Sequence, residues 1–331
     1  MRYKKRVLSA ATICVASFAV LGFFGERVAQ SYTLREHPAP GTLVNVDGQR
    51  LHLHVTGQSS NNQPTIILEA GQGGFSTTWA RVQASLSGQF QVVSYDRPGY
   101  GWSDADPQPR DLTRNSRQLR AALDELSISP PYLLVGHSMG GLFVSTFAEE
   151  FPEDVVGIVL ADPTPPQLFE SLPEEMAARF EGASSMMQAL HVASQFGVLR
   201  IFNPLAAAAV DLPEAEQAVV VALSSSPRFM QTYLDENEVL FGLPGTMPPL
   251  DKSLKKPIVI FSTNAAPEGQ TLPDGITEIV HGLHEAWAMR SPDGKWSILD
   301  GANHYSVIMS DVYAEQLVEA ITEMAAAGYG S

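Results

Sequence analysis

The stretch Leu133-Leu134-Val135-Gly136-His137-Ser138-Met139-Gly140-Gly141 decides the fold. The apolar run Tyr132–Val135 before it has strand character, and Gly140–Phe151 after it has the apolar spacing of a helix. Between them lies G-x-S-x-G, in the strand–turn–helix context that the pattern needs. The reason for the glycines is steric. A serine on so sharp a turn sits in a strained backbone geometry, and only small neighbours let the turn close. The turn leaves the Ser138 hydroxyl exposed at a helix N-terminus, where backbone N–H groups can receive developing negative charge.

Working outward, the chain alternates strands and helices from Thr42 on. Leu43–Val46 and Leu51–Val55, joined by Asp47-Gly48, predict a hairpin. Further apolar runs follow at Thr65–Leu68, Gln91–Tyr95, Val155–Leu160, Ile258–Phe261 and Trp296–Leu299, with a helical pattern at Ser116–Leu126. An antiparallel start followed by βα alternation predicts an α/β fold, a mostly parallel sheet with helices on both faces. One stretch breaks the alternation. Residues 163–250 hold no convincing strand but helical segments near Glu174–Phe180, Ser184–Phe196, Glu214–Leu223 and Phe229–Leu240, which predicts a helical cap inserted into a core of residues 42–162 and 251–331.

On these motifs the chain resembles the α/β-hydrolase family from Leu43 to Ala325. Besides the Ser138 elbow, Asp96-Arg97-Pro98-Gly99-Tyr100-Gly101-Trp102-Ser103 is similar to the family's D-x-x-G-x-G-x-S segment. Glu69-Ala70-Gly71-Gln72-Gly73-Gly74 resembles its H-G-x-x-G oxyanion loop, with Ala70 where the family often has His. The details look closest to bacterial members with a leading membrane segment. The resemblance implies a serine hydrolase, most simply an esterase working through an acyl-enzyme, with no cofactor and no metal. The same residues could cleave an amide, peptide or thioester, and a non-catalytic ligand-binding member of the fold is the alternative from another class.

A serine hydroxyl needs a base. Among the eight histidines, His304 follows a predicted strand and matches where the family carries its histidine. His137, inside the elbow, is expected to point away from the serine. His52 and His54 alternate on the hairpin and read as surface residues. His281 and His284 have a spacing that can hold zinc on a helix, but their order, H-x-x-H-E, fits neither known zinc arrangement and no third ligand is apparent. His37 and His191 give no signal. Many family members carry the acid just beyond the strand equivalent to Pro257–Phe261, but Ala266 falls about there. Asp162, at the end of the preceding predicted strand, is the location some relatives use, and it is the expected partner of His304. Glu268 and Asp274 are the alternatives. The oxyanion hole takes the backbone N–H of Met139 from the elbow and, by resemblance, that of Gln72. Asp96 and Arg97 are read as scaffold.

Composition narrows the partners. The net charge is −15, and the five basic residues of the first thirty make the remainder more acidic still, so binding to nucleic-acid phosphates is excluded. The single cysteine, Cys14, rules out an intrachain disulfide and a cysteine zinc site. The cap carries ten acidic residues and three basic ones. With its methionines (Met176, Met186, Met187, Met230) it predicts either a packing seam or a pocket for a neutral, partly apolar small-molecule ester. Residues 7–24 carry no charge and would span roughly 27 Å as a helix, with Arg2–Arg6 before them. They predict a membrane anchor with the rest on the non-cytoplasmic side. The alternative is a signal peptide cleaved after Ala29, where Arg27 three positions back is a poor fit. Ser31–Gly41 is expected to be a short tether.

Overall fold

The computed structural model describes residues 2–60, 63–242 and 255–327, without the side chains of 2–16, 18, 180 and 181. Its frame is an eight-stranded sheet of order β1-β2-β4-β3-β5-β6-β7-β8. The strands are β1 (Thr42–Val46), β2 (Gln49–Thr56), β3 (Thr65–Glu69), β4 (Val92–Tyr95), β5 (Tyr132–His137), β6 (Val155–Ala161), β7 (Ile258–Ala265) and β8 (Lys295–Asn303). The β1–β2 and β2–β4 pairs are antiparallel and all others parallel, as the alternation predicts.

Every residue of β3, β4 and β5 is buried, which is why these strands read as continuous apolar runs. Successive side chains leave opposite faces of a strand, so Ile66, Leu68, Leu133 and Val135 enter one core while Ile67 and Leu134 enter the other. The first core is closed by Val82 and Leu86 of α2 (Ala80–Leu86) and by Leu317 and Ile321 of α11 (Asp311–Ala327). The second is closed by Leu119 of α3 (Leu112–Glu125), Phe147 of α4 (Gly140–Glu150) and Trp287 of α9 (Ile276–Ala288).

Between β6 and β7 the described residues are helical: α5 (Leu168–Ser171), α6 (Glu174–Ser194), α7 (Glu214–Ser224) and α8 (Pro227–Gly242), with short 3₁₀ turns. Residues 243–250 of the expected cap lie outside the description. Where the sequence predicts two helices around Gly182, α6 is continuous, because one glycine weakens a helix by only about 1 kcal/mol and no proline intervenes.

The N-terminal helix α1 runs from Arg2 to Glu36. This corrects the first half of the expected tether: nothing stops the helix until Pro38, whose ring disfavours helical geometry in the residue before it. Nor is α1 loose. Glu26 receives Arg200 of the cap at 2.6 and 2.8 Å, Thr33 receives the same guanidinium at 2.8 Å, and the carbonyl of His37 accepts from Trp102 Nε1 at 2.7 Å. Most side chains of the expected anchor, residues 7–24, lie outside the description. Among the described residues no helix is long and apolar enough to cross a membrane.

Candidate active site

Ser138 sits one residue beyond β5 with φ of 54°, in the left-handed region. Of the four described non-glycine residues with positive φ, Ser138 and Asp162 are two. Each lies just past the end of its strand, where a backbone held off its preferred region by neighbours costs on the order of 1–3 kcal/mol. The elbow glycines are forced by contact. A Cβ on Gly136 would lie 2.8 Å from the Gly140 carbonyl oxygen, and one on Gly140 would lie 2.4 Å from that of Glu69.

The parallel strands carry Ser138, Asp162 and His304 to the same edge of the sheet, at the ends of β5, β6 and β8, where α/β sheets bind ligands. His304 Nε2 is 2.9 Å from Ser138 Oγ, and its Nδ1 is 2.6 Å from Asp162 Oδ2. An ionised carboxylate only accepts, so Nδ1 donates to it and Nε2 is left to accept from the serine hydroxyl. Burial pushes the Asp162 carboxyl up. The hydrogen bond and charge of His304, the charge of His284 and the Thr263 N–H outweigh it and hold the group down at about 2.

Ser138, Met139, Gln72, Asp162 and His304 all line one cavity of about 450 Å³. Gly71 is pressed against the serine, since a Cβ there would lie 2.8 Å from that of Ser138. The far wall is apolar, with Leu168, Phe169, Met187, Leu240, Phe241 and Ile276, and among the described residues neither lysine nor arginine lines it.

The family model described as Alpha/beta hydrolase family matches residues 66–320. The chain belongs to the alpha/beta hydrolase family. The uncharacterized protein YqjL of Bacillus subtilis (strain 168) is 34% identical to it over 134 residues, 40% of this chain and 52% of YqjL. The chain therefore spans about half the length of that curated relative. A thermophilic esterase from Thermogutta terrifontis superposes with a TM-score of 0.59 at 19% identity, over 87% of this chain and 97% of the other. The esterase RhEst1 from Rhodococcus sp. ECU1013 does so with 0.56 at 20% identity, over 85% and 98%. These two likenesses are of fold.

Thr263, which sequence reasoning passed over in this alpha/beta hydrolase, and His281 and His284, which it weighed only as zinc ligands, surround the acid. Thr263, on β7, donates from its N–H and its hydroxyl to Asp162, both at 3.0 Å. His281 Nε2 reaches the Thr263 carbonyl at 2.9 Å and His284 Nε2 the Pro163 carbonyl at 2.6 Å. Both histidines thus brace the backbone beside Asp162. Their three-residue spacing, which puts them on one face of α9, was the available signal. Glu268 and Asp274 are exposed, and neither is the partner of His304. His137 donates through Nε2 to the His304 carbonyl at 2.7 Å. Burial first, and the charge of His304 second, hold His137 down at about 3.

One expectation fails here. His52 is fully buried rather than on the surface, its Nδ1 2.9 Å from Asp96 Oδ2, and His54 is half-buried. The strand β2 is covered by the loop after β4 on the side where His52 points, a long-range event that alternation along the strand does not reveal. Of the cap methionines, Met230 is buried in the core, Met187 lines the cavity and Met186 is exposed.

Proposed function

We propose that this alpha/beta hydrolase is a serine esterase for neutral, partly apolar acyl groups. The observation that carries the reading is the unbroken hydrogen-bonded chain from Ser138 Oγ through His304 to Asp162, opening on the apolar cavity. Ser138 Oγ attacks the acyl carbon as its proton passes to His304 Nε2. The carbonyl electron pair moves to oxygen, where the N–H groups of Met139 and Gln72 receive the charge. Collapse expels the alcohol, which takes the proton from Nε2. Water then repeats the sequence on the acyl-enzyme and restores the serine. Asp162, ionised down to about pH 2, keeps Nδ1 protonated and offsets the imidazolium.

A fluorophosphonate probe should label Ser138 and no other residue; labelling elsewhere, or none, overturns the reading. For the acyl preference, kcat/KM on short nitrophenyl esters should fall when the acyl chain ends in a carboxylate. A preference for the carboxylated ester would reverse that part.

We further propose that residues 7–24 anchor the protein in a membrane with the catalytic core on the non-cytoplasmic side. The apolar length of the segment and Arg2–Arg6 before it support this. The full chain should then require detergent and keep Met1 by mass spectrometry, whereas a mature N-terminus at Gln30 or Ser31 would mean a cleaved signal. A protein beginning at Ser31 would lack Glu26 and leave Arg200 without that partner.

A further inference from the structure

Arg97 follows β4 and its guanidinium is 1% exposed. It lies between a core carboxylate, Glu69 at the end of β3, and a cap carboxylate, Glu236 on α8. Its Nε and Nη2 donate to the two oxygens of Glu236 at 2.7 and 3.0 Å, and Nη1 donates to Glu69 at 2.6 Å. The same two terminal nitrogens reach the loop beneath the cavity, Nη1 the Ala70 carbonyl at 2.5 Å and Nη2 the Gly71 carbonyl at 2.8 Å.

The Gly71 carbonyl and the Gln72 N–H are the two ends of one planar peptide unit. A cationic donor fixed on its oxygen sets the plane in which the N–H points, and it polarises that N–H, since hydrogen bonds in a chain strengthen one another. The cap helix grips this loop at two more points. Gln72 Nε2 donates to the Tyr233 carbonyl at 3.0 Å and to Asn237 Oδ1 at 2.7 Å, both on α8. The Gly73 N–H donates to the Tyr100 hydroxyl at 3.2 Å, which itself donates to Glu236 at 2.8 Å.

We propose that the cap helix α8 sets the oxyanion donor: Glu236 and Arg97 are positioning residues that aim and polarise the Gln72 N–H. This rests on the reading that Ser138 attacks and the Gln72 N–H receives the charge. The charge count distinguishes it from a simple clasp holding cap to core. Two carboxylates surround one guanidinium, and burying an unmatched carboxylate opposes stability. A neutral amide at position 236 would still tie the cap to Arg97 through its one oxygen. The second carboxylate locks the flat face of the guanidinium by a bidentate pair, which fixes where its remaining hydrogens point.

Glu236→Gln tests this in the full chain. The variant keeps one oxygen acceptor for Arg97 but turns an amide N–H toward a buried donor of Arg97 or Tyr100, so it is expected to fold with a somewhat lowered Tm, and kcat is read on the folded protein. Loss of a whole oxyanion donor lowers kcat by about 10²–10³, and a misaimed one should lower it by about tenfold, with KM within twofold. A boronic acid, whose adduct with Ser138 places an oxygen in the hole, should bind weaker by the same factor, while a planar amide analogue binds as before. Tyr100→Phe, which cuts the link from Glu236 to the Gly73 N–H, should move kcat and boronate affinity in the same direction by a few fold. The proposal is overturned if both variants keep kcat and boronate affinity, or if boronate and planar amide weaken equally, which would make α8 only a pocket wall. Failure of the fluorophosphonate to label wild-type Ser138 would instead overturn the esterase reading beneath it.

Discussion

Among the described residues are two aspartate–histidine pairs of the same chemistry, His304–Asp162 at the cavity and His52–Asp96 inside the core. In each, Nδ1 faces a carboxylate oxygen, at 2.6 and 2.9 Å. In each, the other nitrogen accepts, so both rings hold the same tautomer. They differ in what Nε2 meets. For His304 it is the hydroxyl of Ser138 beside a cavity, whereas for His52 it is the backbone N–H of Gly41 at 3.0 Å, with both side chains fully buried. Asp96 also differs from Asp162 in its other duties, receiving the N–H groups of Ser76 and Trp102 and so tying the loop after β4 to the segment after β3. A carboxylate–imidazole pair is therefore not a catalytic signature. What sets the His304 pair apart is a hydroxyl and open space at the far nitrogen.

The comparison can be broken by mutation. Ser138→Ala should lower esterase turnover by about 10³-fold or more with Tm unchanged, measured against the labelled active fraction of the wild type. Equal turnover would leave His304 no more reactive than His52. Next in size, Asp162→Asn should lower kcat by about 10²–10⁴-fold with little change in melting, through the wrong tautomer of His304. Asp96→Asn should do the reverse. It leaves a buried donor without its acceptor and should cost about 1–3 kcal/mol in denaturant unfolding, while kcat of the folded protein stays within twofold. Exchange of those two outcomes would place the catalytic pair in the core.

A third histidine sharpens the contrast through pH. His137 is held down at about 3 in the folded protein and titrates near 6.5 when unfolded. Between those values the unfolded chain takes up a proton that the folded one refuses, so stability falls as pH drops, by about 3 kcal/mol from pH 7 to pH 4. Glu69, pushed up to about 6 mainly by its burial, acts oppositely: its folded carboxyl keeps a proton longer, and stability falls as pH rises from about 4.5 to 6. Unfolding curves at pH 7, 5.5 and 4 should give the net slope, and His137→Gln should flatten its acid side. A variant curve parallel to the wild type would show that His137 charges freely. The smallest effect is for Glu268→Gln, expected to leave kcat within twofold because that carboxylate is exposed and apart from His304.

The eight strands, the elbow and the helical insertion were legible because their signals are local. Alternation, glycine spacing and strand length act over a few residues, and the runs at Thr65–Leu68, Tyr132–Val135 and Val155–Leu160 lie within β3, β5 and β6. The juxtaposition of Ser138 with His304 and Asp162 was legible only through family likeness, since no local pattern joins residues up to 166 apart. The supports of that trio carried weaker marks still. Thr263 donates to the Asp162 carboxylate while His281 and His284 hold backbone carbonyls beside it, and any residue able to donate there would read alike in sequence.

By itself, the sequence determined the α/β class, the serine on its strained turn, the acidic net charge, and the apolar stretch at residues 7–24. Those follow from composition and from the short-range geometry of helix and strand. Only the tertiary structure decided which histidine–aspartate pair faces a hydroxyl, that α1 continues to Glu36 and docks on Arg200, and that Glu236 of the cap reaches Arg97 beneath the Gln72 loop. The contacts among these join segments distant in sequence, and Glu236 meets Arg97 in a fully buried interior where charge must find charge, a demand written in no single stretch of the chain.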